Sequence, residues 1–194
     1  MNIILKLTDL FEAPEKMDTR VVYFLDTKKN MIMDGEFTKV LYVRPHVTMD
    51  GWFIECPLYI NHITEKYSNL IWFQPYHQCN IHVLKHFSEI EKQLLDYYMD
   101  YKQCDKTPQY SLHNQLYSGN IKIYSYKMKS SESREELNSD APRIKILSRP
   151  NSLTAINQIQ NPVVDSNVYK CTIKISGVWE SAKHVGLTYK FLQA

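Results

Sequence analysis

The chain has 194 residues, 44% hydrophobic and 23% charged, with a formal net charge of +2. That length and balance suit one folded domain with a real core and exclude a wholly disordered chain. No stretch approaches the roughly 18–20 continuous apolar residues of a membrane helix, and the opening MNIILKLTDLF lacks the small-residue cleavage site of a secretory signal.

Four scattered cysteines (Cys56, Cys79, Cys104, Cys171) are expected to be free thiols in a reducing compartment, which implies an intracellular address, nuclear or cytoplasmic. Fourteen Tyr, seven Phe and three Trp favour half-buried pleated surfaces and hence sheet, while only five glycines predict longer, irregular connections. Charge is uneven. From Arg143 onward there are seven Lys/Arg against two acids, leaving 16 of the 23 basic and 19 of the 21 acidic residues before that point. A basic end on a nearly neutral chain points to a polyanionic partner.

In chain order, residues 21–25 (VVYFL) read as a short strand. Residues 36–44 (EFTKVLYVR) and 52–60 (WFIECPLYI) read as a hairpin around the turn formers of PHVTMDG. Residues 70–73 (LIWF) form a further strand, closed by Gln74-Pro75. The period then changes: Leu84, Phe87, Ile90, Leu94, Leu95, Tyr98 and Tyr101 recur at steps of three and four, predicting an amphipathic helix over 82–102. Residues 104–117 read as an irregular connection. Strands resume at 120–128 (NIKIYSYKM) and 143–147 (RIKIL), separated by a polar segment, 129–142, expected to be mobile. A second polar loop near 149–166, with a helical turn near Ala155, precedes the last strands, 168–176 and 186–192. These are expected to be joined across GVWESAKHV. Strands, one helix, then more strands suit a mainly β domain: an antiparallel, OB-like β-barrel with one amphipathic helix.

Alternation along the later strands assigns faces. Lys170 and Lys174 oppose Cys171, Ile173 and Ile175; Lys190 opposes Leu187, Tyr189 and Phe191. Lys122, Tyr124 and Tyr126 oppose Ile121 and Ile123, and Arg143 and Lys145 oppose Ile144. Tyr42 and Arg44 share one side of their strand. One basic face carrying tyrosines holds the two ingredients of single-strand binding: cations for phosphates and aromatic planes for bases. Trp72 could serve as another platform, although a core role suits it better.

Catalytic signatures are lacking: there is no G-x-S-x-G, P-loop or G-x-G-x-x-G. His82 and His86 stand at i, i+4, with His77 and Cys79 nearby, but no second Cys/His cluster follows at zinc-finger spacing and no HExxH occurs. Neither cofactor nor metal is therefore expected, and the protein is not expected to be an enzyme. A dispersed active site around His77, Cys79 and His82 is the alternative there.

The segments LKHFSEIEKQLLDYY (84–98) and KISGVWESAKHVGLTYKF (174–191) resemble single-stranded DNA-binding proteins of large eukaryotic DNA viruses and Polinton/Maverick-type elements. The resemblance covers about a third of the chain. It implies an OB-type barrel with an inserted or capping helix, and places Trp179, Lys183, Tyr189 and Lys190 at the barrel's end. The final YKFLQA lacks the acidic, aromatic tail by which such viral proteins recruit partners.

The combined expectation is a non-enzymatic protein of replication or recombination that binds single-stranded DNA, with RNA left open, and with no membrane contact. Lys122, Arg143, Lys145, Lys170, Lys174 and Lys190 would meet phosphates, joined by Arg44, and Tyr42, Tyr124 and Tyr126 would stack on bases. Self-association or replication-protein partners accompany that reading. The alternative is a protein-interaction or structural domain whose exposed tyrosines meet another protein.

Overall fold

The computed structural model describes residues 3–13, 16–30, 34–65, 69–124, 143–145 and 167–193. A small pair, β1 (Phe11–Ala13) and β2 (Lys16–Met17), precedes β3 (Val22–Phe24) and β4 (Lys28–Lys29). Next come β5 (Glu36–Arg44), β6 (Val47–Asp50), β7 (Trp52–Tyr59), β8 (His62–Glu65) and β9 (Asn69–Trp72). Helix α1 (Gln78–Lys102) leads into β10 (Thr107–Gln109), α2 (Ser111–Tyr117) and β11 (Asn120–Tyr124). β12 (Arg143–Lys145), β13 (Val168–Glu180) and β14 (His184–Gln193) complete the chain. The protein is mainly β, with one long helix.

Twelve strands form one sheet, running β12-β8-β9-β11-β14-β13-β5-β3 along its main path. β14 pairs antiparallel with β13 but parallel with both β10 and β11. The sheet is therefore mixed, and among the described residues it does not close on itself. This corrects the expected antiparallel barrel. The expected 36–44/52–60 hairpin is also replaced. β5 turns at Pro45-His46 into β6, while β7 crosses to lie along β13 from Tyr59↔Val168 to Trp52↔Ile175. Gly51 makes that departure possible: its φ is +87°, and a Cβ there would stand 2.7 Å from the Ile175 carbonyl oxygen.

One side of the sheet carries the core. Ile54, Cys56 and Leu58 of β7, Ile173 and Ile175 of β13, Phe191 of β14 and Ile121 of β11 are buried together with the α1 stripe, Leu84, Phe87, Ile90, Leu94, Leu95 and Tyr98. Tyr101, expected to continue that stripe, is 58% exposed. α1 starts four residues earlier than its apolar period suggests, because His77 caps it by accepting the Cys79 N–H at 3.2 Å. α2 falls in the segment expected to be irregular. Its first turn is held by the buried Glu91 carboxylate, which accepts the N–H groups of Leu112 (2.9 Å) and His113 (2.7 Å).

Candidate nucleic-acid interface

Residues in register on neighbouring strands share a sheet face. Lys174 stands opposite Lys190 across β13 and β14, and Thr172 opposite Leu192. Tyr124 of β11 is level with Leu192, so Lys122 and Lys190, each two residues earlier on parallel strands, share the next row. Lys122, Lys190 and Lys174 thus cross three consecutive strands, spanning about 10 Å at the usual strand spacing. No carboxylate among the described residues pairs with any of the three.

Aromatic rings lie within this basic row. The Lys122 ammonium sits 5.3 Å from the centre of the Tyr124 ring, and that of Lys174 sits 4.8 Å from Phe53. Tyr124 is 48% exposed, whereas Phe53, Thr172 and Leu192 on the same face are buried. On the next strand, β9, Trp72 is level with Asn120, and one strand beyond, on β8, His62 is level with Trp72. The His62 and Trp72 rings stack at 5.7 Å and 14°. Trp72 is 37% exposed and not the core tryptophan that sequence reading favoured. The parity of LIWF held the signal: Ile71 and Phe73 are the buried members, so Trp72 must face the other way.

Not every expected residue joins this face. Lys170 does, but its ammonium is drawn to Glu55 at 3.5 Å. Tyr42 is buried, with its hydroxyl accepting Arg44 Nε at 3.2 Å, so it offers no ring to a base. Arg44 is exposed, but its guanidinium is drawn to the Asp18 carboxylate at 3.3 Å. The Arg20 hydrogen bond, with Arg44 adding to it, holds the Asp18 carboxyl below its ordinary range. Arg143 is in register with Glu65, and Lys145 with Ile63, which in turn is level with Ile71. Tyr126 and the expected loops, 129–142 and 149–166, lie outside the described residues.

Polar groups that sequence reading missed lie on the core side. Glu180 accepts from both Tyr98 and Lys106, the latter at 2.5 Å, and the Tyr98 hydroxyl also meets Thr38 at 2.7 Å. Burial pushes the Glu180 carboxyl up, but the bonds from Lys106 and Tyr98 outweigh it and leave it below the usual range. Burial and the adjoining carboxylate push Tyr98 well up. This chain joins the last turn of α1 to β5 and β13. Of the residues named by the resemblance, Tyr189 points to α2, donating to the Ser111 carbonyl (3.0 Å) or to Gln115 Oε1 (2.8 Å). Trp179 lies over Gly186, while Lys183 is exposed beside the β13–β14 turn.

In the histidine cluster, the His77 ring stacks on Tyr59 at 4.2 Å. Among the described residues no three His, Cys, Asp or Glu side chains converge as metal ligands. No helix among them is long and apolar enough to cross a membrane. Compared with known proteins, the chain matches no family model, no curated protein and no solved structure.

Proposed function

We propose that the protein binds single-stranded DNA with little sequence preference, as a non-enzymatic participant in DNA replication or recombination. The observation that carries this reading is the lysine row. Like charges directly opposite on paired strands repel, and Lys174 and Lys190 face one another with no described carboxylate between them. A phosphate backbone relieves that repulsion. The exposed Tyr124 beside Lys122, and the Trp72–His62 stack on the same face, supply planes for bases. Kinship with the viral and Polinton/Maverick-type single-strand binders belongs to the same proposal, as do an intracellular site of action and replication-protein partners.

The test is fluorescence anisotropy with a labelled oligo-dT of about thirty nucleotides, with duplex of the same length as competitor. Saturable binding that duplex fails to displace is expected; no binding at low salt overturns the reading. A second reading, a protein-interaction domain, is favoured by the exposed apolar side chains of Tyr23 on β3 and Leu25 just after it, 57% and 39% exposed. On that reading Tyr23→Ser changes self-association in sedimentation and leaves oligonucleotide affinity unaltered.

A further inference from the structure

Away from the sheet face, the outer side of α1 carries His82 and His86 one helical turn apart. They line an open groove of about 300 Å³ with Phe11, Lys85 and Glu89. The Phe11 ring meets the His86 ring edge-on, 5.8 Å between centroids, which limits its rotation. His86 Nδ1 lies 2.6 Å from the His82 carbonyl oxygen. A carbonyl has no proton to give, so Nδ1 must be the donor. In the neutral ring that leaves Nε2 as a bare lone pair.

We infer that His82 and His86 form a two-imidazole site for a divalent transition-metal ion of the zinc, nickel or copper class. Imidazole suits those metals, and residues at i, i+4 stand about 5–6 Å apart on a helix surface, close enough for both rings to reach one ion. A metal-bound histidine normally donates its other N–H to a carbonyl or carboxylate, which fixes tautomer and orientation; the His86–His82 contact already supplies this. An anion would find an acceptor rather than a donor at Nε2. Glu89 lines the groove and offsets the charge of Lys85. With no third side chain converging, the remaining positions go to water, so the site is open and of moderate affinity. His77 is no part of it, since its Nδ1 accepts the Cys79 N–H.

The site stands independently of nucleic-acid binding. Its test is isothermal titration of the whole chain with zinc chloride, then nickel chloride, at neutral pH. One ion per chain is expected. His82→Ala and His86→Ala should each weaken binding by about tenfold or more, with circular dichroism unchanged, while Cys79→Ser should leave it intact. His82 is exposed, so its variant stays informative even if His86→Ala perturbs packing against Phe11. Absence of binding at submillimolar metal overturns the inference. So does binding that survives both histidine substitutions, or that is lost with Cys79.

Discussion

Tyr42 and Tyr124 are both strand tyrosines, yet one is 6% and the other 48% exposed. Tyr124→Ala is therefore expected to cost about 1–3 kcal/mol of oligonucleotide affinity with little change in urea unfolding. Tyr42→Ala should instead cost about 3–5 kcal/mol of stability, as buried aromatic truncations do, and leave the affinity of the folded fraction intact. Alternation in NIKIY separated Lys122 and Tyr124 from Ile121 and Ile123 directly. In EFTKVLYVR the wet side was misjudged: Thr38, Val40 and Tyr42 are the buried set, and Arg44 shares their parity only at the strand's end. A polar residue at a strand terminus is a poor guide to its interior.

Thiol reactivity is expected to follow the same division. Cys56 and Cys171 are buried partners across β7 and β13, and burial pushes the Cys56 thiol well up. Iodoacetamide should modify exposed Cys79 in the native protein and reach Cys56 and Cys171 only on unfolding. Glu180, like Asp18, contributes to acid behaviour. Its carboxyl is depressed in the fold, so its stabilising contribution is complete above the unfolded value of about 4.3. That contribution is lost as pH falls through the lower folded value. Glu180→Gln should lower stability at neutral pH and flatten the acid limb of a stability–pH curve.

At the scale of elements, the most legible piece was α1, whose apolar steps of three and four survive as its buried stripe. Its true start was less legible, because Asn80 acts through distant partners: its amide donates to the carbonyls of Tyr59 and Gln74, and its oxygen accepts the Tyr59 N–H. Asn80→Ala removes the partner of part-buried groups at the end of β7 and should cost about 1–3 kcal/mol in all, read by urea denaturation. α2 hid for a similar reason. Leu112 and Leu116 have helical spacing, but seven residues are too few to form a stable helix alone, and Glu91, twenty-one residues earlier, anchors its start. GVWESAKHV has the composition of a connection, yet β13 and β14 continue through most of it. Trp179 covers Gly186 in the paired strand: a Cβ on Gly186 would come within 2.6 Å of the indole. Only Ser181 to Lys183 actually turns.

For the molecule as a whole, the strand content was legible in composition and alternation, but the pairing was not. Parallel neighbours for β14 come from segments far earlier in the chain, and no local pattern encodes which distant strand a given strand will choose. The same pairing is what assembles the candidate site. Lys122, Lys174 and Lys190 come from three strands and meet only because β11 and β13 flank β14. Arg143 and Lys145, equally basic in sequence, stand on β12, which pairs with β8 at the far end of the sheet path.

A lysine row that holds a phosphate backbone makes binding fall with salt in proportion to the charges it supplies. Anisotropy titrations with oligo-dT over a series of salt concentrations would compare the wild-type chain with a Lys122→Gln, Lys174→Gln, Lys190→Gln triple variant. Each phosphate contact on a single strand contributes about 0.7 to the slope of log affinity against log salt. The wild-type slope should become shallower by about 2 in the variant, with unfolding unchanged or slightly improved as the Lys174–Lys190 repulsion is removed. An unchanged slope, or no binding by the wild-type chain at low salt, would contradict that role for the row.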